Sequence, residues 1–338
     1  MVEDGPFSAL SEPRCAIALR GARVRGVIEG DIEALFVEAG YRGMLSVVEI
    51  DGPGRVEVRA GEQVYAASTF KIAVGLELLC QGADGEVHPA EPVRLLPDER
   101  TPGGQGSCLF AQPAEISLRD LAVLMLTISD NTATDTVIRR VGPERVGARL
   151  AALGFRHTDF TCTIREHFDA IGRSLGFADW AEHSRALTAA SPARAAEMRR
   201  AFREAFAQLA LVPYTTAGDM ARLIRMFWRD EAGPAAACAQ LREMMGMQWL
   251  TRKIATRFSA DVSVSAKSGT APAISNDVGV VRYPDGQRYA VAVFTRALDP
   301  DADTDPDRGP RVIGAAARMA VEHLRHTPGV LAGERHEP

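Results

Sequence analysis

The chain has 338 residues, 46% of them hydrophobic and 25% charged, with a formal net charge of −5. That is a globular composition, long enough for a large core or two packed domains, and with no basic block it suggests no nucleic-acid partner. No stretch approaches the ~18 uninterrupted apolar residues of a transmembrane helix, which excludes a membrane span.

The first 26 residues begin acidic, and their apolar positions are interrupted by Glu, Pro and Arg. No basic start precedes a long apolar run, so the sequence predicts no secretory signal and a cytoplasmic location. Asp31 to Gly40 reads as a short helix with Ile32, Leu35 and Phe36 on one side. Two strand-like runs follow, Met44 to Ile50 and Arg55 to Arg59, around the turn cluster Asp51-Gly52-Pro53-Gly54. From Ser68 to about Gln81 the pattern is helical, and Ser117 with Asp120 three residues on announces another helix. Further helices are predicted over 144–153, Pro192 to Leu209, Gly218 to Trp228 and Ala236 to Trp249.

The period then changes to two, with Val262, Val264 and Ala266 alternating with Ser263, Ser265 and Lys267. Asp277–Tyr283 and Arg288–Arg296 flank Pro284-Asp285-Gly286 as a hairpin, a loop covers 299–310, and a last helix runs from Val312 to Arg325. Strands lie at both ends of the chain and helices fill the middle. The expected fold is α/β of the α+β kind, an antiparallel sheet flanked by helices with an all-helical domain inserted. The sheet domain is placed at 1–62 and 217–338, the helical domain at 63–216.

Five scattered cysteines, Cys15, Cys80, Cys108, Cys162 and Cys238, contain no C-x-x-C and fit reduced thiols. His323 and His326 fall in a charged helix and read as solvated surface, so no metal is expected. The glycine-rich TPGGQGS at 101–107 lacks the G-K-[ST] of a phosphate loop. No cofactor is predicted.

Three short motifs carry chemistry. Ser68-Thr69-Phe70-Lys71 is S-x-x-K at a helix start, which puts both side chains on one face. A serine hydroxyl needs a neighbouring base, and a desolvated lysine can serve as one. Ser129-Asp130-Asn131 lies between two helices and can present a hydroxyl and an amide to a cleft. Lys267-Ser268-Gly269-Thr270 follows the alternating strand, where Gly269 permits close backbone approach. Taken singly, each has a plain alternative: a capped helix with an exposed lysine, an Asp/Asn turn, and a surface lysine at a strand end.

Together and in this order, with Ser129 lying 58 residues after Lys71, the motifs resemble the signature of class A β-lactamases and penicillin-binding proteins. The resemblance runs from about Asp31 to Arg325. It includes SLRDLAVLMLTISDNTATD (117–135) and YTTAGDMARLI (214–224), and S-D-N favours class A over classes C and D. It implies that Ser68 attacks a carbonyl and that Lys71 takes its proton. It further implies that Ser129 relays a proton to the leaving nitrogen, and that the amides of Ser68 and Thr270 form an oxyanion hole. Asn131, Lys267, Ser268, Gly269 and Thr270 would bind substrate, Lys267 and Thr270 holding its carboxylate. The same resemblance makes 160–213 an extended omega-loop region.

The family deacylates with a glutamate in E-x-x-L-N. Glu166, 35 residues after Asn131, is the nearest match, but REHFDAI puts Asp169 and Ala170 where Leu and Asn stand. Three activities therefore stay open. They are a hydrolase opening the cyclic amide of β-lactams, an esterase, amidase or acyltransferase on another small acyl substrate, and an acylation sensor or binding protein that does not turn over. In each, the partner is a small molecule.

Overall fold

The computed structural model describes residues 27–205, 213–299 and 305–327. The acidic N-terminal stretch, Cys15, the end of the helix expected to reach Leu209 and part of the 299–310 loop lie outside them. In chain order, a helix α1 (27–38) leads to strands β1 (Tyr41–Glu49), β2 (Arg55–Val58) and β3 (Val64–Tyr65). A 3₁₀ turn (Ala67–Phe70) runs straight into α2 (Lys71–Ala83), followed by β4 (Pro92–Leu95) and β5 (Ala114–Ser117). Helices α3 (Leu118–Thr127), α4 (Asn131–Val141), α5 (Pro143–Ala152), α6 (Ile164–Ser174), α7 (Trp180–Ala189) and α8 (Pro192–Ala205) come next. Then follow β6 (Tyr214–Thr215), α9 (Ala217–Trp228), α10 (Ala235–Gly246), β7 (Ser263–Ala271), β8 (Ile274–Arg282), β9 (Arg288–Ala297) and α11 (Arg308–His326).

The main sheet is antiparallel with order β2-β1-β9-β8-β7, so its strands come from the two ends of the chain. The hairpin between β8 and β9 closes at Gly286, whose φ of 90° suits glycine. Successive residues of β9 face opposite cores. Ala290, Ala292 and Phe294 pack with the helical layer around α2 and α9, whereas Tyr289, Val291 and Val293 pack with α1 and α11. Both sheet faces are thus covered. With no strand beyond it in the sheet order among the described residues, β7 presents one backbone edge toward the nucleophile segment.

Ser117 caps α3 by accepting a hydrogen bond from the Asp120 amide, at 3.1 Å, as its spacing predicts. Within 160–213 the described residues form three helices: α8 starts at Pro192 as the sequence predicts, whereas α6 and α7 occupy a stretch where no helix was expected. The Thr163 hydroxyl accepts from the Glu166 amide while the Glu166 carboxylate accepts from the Thr163 amide, a capping box that starts α6. Asp179 starts α7 in the same manner by accepting from the Glu182 amide. The paired ribbons β3–β6 and β4–β5 are two to four residues per strand, too short to show a period in sequence. Cys80, Cys108, Cys162 and Cys238 are free thiols.

Candidate functional site

Ser68 lies in the 3₁₀ turn one step before α2, after a residue in an unfavourable conformation: Ala67 has a φ of 47°. A non-glycine residue there costs on the order of 1 kcal/mol, and persists where its surroundings dictate it. Here they do. The Asn276 amide donates to the carbonyls of Tyr65 (2.9 Å) and Ala66 (3.3 Å), the Thr69 hydroxyl donates to Ala66 O (2.7 Å), and the Ala66 amide donates to Pro213 O (2.9 Å). From the other side β7 closes on the turn at Gly269. A Cβ at Gly269 would stand 3.0 Å from Ala67 Cβ and 3.1 Å from both Ala66 O and the Ser68 nitrogen. Only glycine lets the strand edge approach the Ser68 amide that closely.

Helix α2 is buried from Lys71 through Gln81, which places a lysine in the helical core. The Lys71 ammonium donates to Ser129 O (2.8 Å), Ser129 Oγ (3.1 Å) and Asn131 Oδ1 (2.9 Å), using all three protons. Burial pulls its pKa down to about 7, with the carboxylates of Asp135 and Asp130 opposing that shift. Ser129 is itself left-handed, with φ 63°. Asp130 holds the turn by accepting from the Ala133 amide (3.0 Å) at the start of α4 and from the Ser107 amide (2.6 Å). The glycine-rich segment 101–107 is thereby fastened to the S-D-N turn, and the Asn131 amide donates to Pro102 O at 2.9 Å.

Lys267 is fully buried and donates to the carbonyl of Ser268 at 2.8 Å. Burial, and then repulsion from Lys71, hold its pKa well below the lysine range. A third lysine, unremarked in the sequence reading, completes the array. Lys253 donates to Gly269 O (2.7 Å), Thr270 Oγ1 (3.0 Å) and Asn276 O (2.9 Å), and burial pulls its pKa to about 8. Its counter-charge is Asp277, whose own pKa burial pushes up to about 6. A signal for Lys253 is present in the sequence: Lys71, Lys253 and Lys267 are the only lysines among the chain's 39 Lys and Arg residues, and the other two sit in the chemical motifs. Among the described residues no group of His, Cys, Asp or Glu could hold a metal ion.

Ser68, Asn131 and Thr270 border one cavity of about 240 Å³. Glu166 does not border it. Its side chain is exposed and turned back on Thr163, accepting from the amide and the hydroxyl at 2.8 Å each, and these hydrogen bonds hold its pKa below the ordinary glutamate value. The next residue, His167, is buried and does line the cavity, with Nε2 3.1 Å from the Tyr65 hydroxyl.

These features define the class: the chain belongs to the β-lactamase enzyme family, whose family model matches residues 28–324, within the β-lactamase and penicillin-binding protein superfamily. Among characterised relatives it is similar to a protein named β-lactamase regulatory protein BlaB from Streptomyces cacaoi, with 28% identity over 297 residues, covering 84% of this chain and 91% of that one. The fold is also that of a β-lactamase from Sphaerobacter thermophilus DSM 20745 (TM-score 0.69, 22% identity, 89% of this chain and 98% of that one). The ancestral class A β-lactamase GNCA has TM-score 0.70 at 19% identity, with 87% and 99% covered. PBP-A has TM-score 0.67 at 19% identity, with 87% and 94% covered.

Proposed function

We propose that the chain is a serine acyl-transfer hydrolase that forms an acyl-enzyme on Ser68, with β-lactams as its substrates. The observation that carries this reading is Lys71. It is a buried lysine with a pKa of about 7, hydrogen-bonded to Ser129 and Asn131 and one turn from Ser68. Neutral Lys71 takes the proton from Ser68 Oγ as the oxygen bonds to the carbonyl carbon. The amides of Ser68 and Thr270 receive the oxyanion, at the place where Gly269 lets β7 approach the turn. When the C–N bond breaks, Ser129 Oγ passes its proton to the leaving nitrogen and is reprotonated by the Lys71 ammonium. Lys267, Ser268 and Thr270, backed by Lys253, bind the substrate carboxylate.

A second reading is acylation with slow release, as in a sensor. It is favoured by Glu166, which is spent on a helix cap, and by the regulatory name of the Streptomyces cacaoi relative. Intact-protein mass followed over time after mixing with benzylpenicillin tests both. The expected result is one adduct, mapped to Ser68 and lost in Ser68→Ala. Its decay within seconds supports hydrolysis, its persistence for hours supports the sensor, and an adduct mapped elsewhere defeats both.

A further inference from the structure

Release of the acyl group from Ser68 needs a water and a base beside it, and Glu166 is committed to Thr163. Among the described residues no Asp, Glu, Lys or Arg borders the cavity that contains Ser68, and its titratable side chains are Tyr65, Cys162 and His167. Burial pushes the Cys162 thiol up to about 12 and raises the Tyr65 hydroxyl above its ordinary value, so neither gives up its own proton near neutral pH. Imidazole is the side chain that takes up a proton in that range.

The Tyr65–His167 pair is fixed from both sides. Tyr65 lies three residues before the nucleophile on β3, where it pairs with Tyr214. Its carbonyl accepts at 2.9 Å from the Asn276 amide that also orders the Ser68 turn. His167 sits in the first turn of α6, its backbone amide donating to Thr163 O at 3.1 Å. Its side chain is buried, with Nε2 3.1 Å from the Tyr65 hydroxyl oxygen and the two ring centroids 5.6 Å apart. Behind it stands a wall of rings: His167 stacks on Phe168 at 5.5 Å, Phe168 on Trp180 of α7 at 5.1 Å, and Trp180 meets Phe202 of α8 at 5.0 Å. A base held in this way keeps its orientation toward a water in the cavity. The capping box that withdraws Glu166 thus brings the next residue to the site.

We infer that His167, acting through the Tyr65 hydroxyl, is the base for release of the acyl group. With the Tyr65 O–H donating to Nε2, the water oxygen bonds to the acyl carbonyl carbon while one water proton passes to the Tyr65 oxygen and the tyrosine proton passes to Nε2. The hydroxyl stays neutral throughout, and the positive charge rests on the imidazolium. When the bond from the carbonyl carbon to Ser68 Oγ breaks, the proton returns through Tyr65 to Ser68 Oγ, leaving the free acid and the resting enzyme. The inference rests on the proposed acylation of Ser68 and assigns the step that follows it.

Two rates with benzylpenicillin test this, both read by rapid-quench intact mass: formation of the Ser68 adduct, and its decay once excess penicillin is removed. His167→Gln keeps a hydrogen-bond partner for Tyr65 but cannot hold the transferred proton. It is expected to slow decay by about 10²–10⁴ while formation, which also reports an intact site, stays within about 3-fold of the parent. Tyr65→Phe keeps the ring and breaks the relay, and should slow decay by about 10-fold or more with the same small effect on formation. Decay within about 3-fold of the parent in either variant, or formation slowed as much as decay, overturns the assignment while acylation of Ser68 stands. A parent adduct that persists for hours does the same. No adduct at all overturns both.

Discussion

A lysine that accepts a proton near neutral pH must be stripped of most of its affinity for one, and at Lys71 burial does this. The helix that carries it is enclosed on every side, and the nearest carboxylates, Asp130 and Asp135, oppose the shift without cancelling it. The consequence for rate has a definite sign. Below a pH of about 7 Lys71 is an ammonium and cannot take the Ser68 proton; above it the amine is free. Acylation of Ser68 should therefore rise with pH up to a plateau, with a midpoint near 7, when measured by rapid-quench mass spectrometry. Lys71→Ala should lower the plateau by roughly 10²–10⁴, the usual effect of one general base. A flat profile down to pH 5.5 would move the base role to another group.

At the level of single elements, the start of α6 shows one residue answering to two descriptions. The spacing of Glu166 from Asn131 matches a family glutamate, while Thr163-x-x-Glu166 matches a capping box, and in the structure the carboxylate is committed to Thr163. Glu166→Ala removes one half of a reciprocal cap, the exposed half, at a helix start whose Thr163 and Ile164 are buried. It is expected to cost about 0.5–1 kcal/mol, read as a small drop in Tm. Release of the Ser68 acyl group should stay within about 3-fold of the parent, because an oriented water needs its base in place and this carboxylate is turned away from the cavity. A loss of release of ~10²-fold or more would instead identify Glu166 as the base.

Across the whole molecule, the sheet edge and the helical layer enclose three lysines, Lys71, Lys253 and Lys267, together with the buried carboxylates of Asp130, Asp135 and Asp277. Lys253 is the member whose contribution can be isolated, since its pKa of about 8 lies well below that of an unfolded lysine, about 10.4. Below pH 8 both states hold the proton, and the cost of the buried ammonium is present in full. Between about 8 and 10.4 the unfolded chain binds more protons than the folded one, so this group makes stability rise with pH, by up to about 1.4 kcal/mol per pH unit. Lys253→Met should flatten the pH dependence of Tm between pH 8 and 10 relative to the parent, by scanning calorimetry. Superimposable profiles would show that Lys253 is not held in this low-dielectric environment.

Sequence alone determined the α+β fold, the strands at both ends of the chain, and the three motifs around the nucleophile. These are written in short-range terms: a change of period from 3.6 to 2 near Val262, a serine cap at Ser117, and the fixed tetrapeptides at Ser68, Ser129 and Lys267. Tertiary structure decided the rest. Whether Lys71 is a base depends on the burial of α2 by distant helices. Lys253 reaches the site through carbonyls of β7 and β8 that lie 16 to 23 residues further along the chain, so no local pattern marks it. The helices of 164–205 and their wall of rings depend on contacts among α6, α7 and α8. Glu166 is a local case instead: the Thr163-x-x-Glu166 capping box is itself written in the sequence, and it satisfies helix amides at almost no entropic cost in competition with the role suggested by the spacing from Asn131. Local patterns specify elements, but the proton affinity of a buried group is a property of everything packed around it.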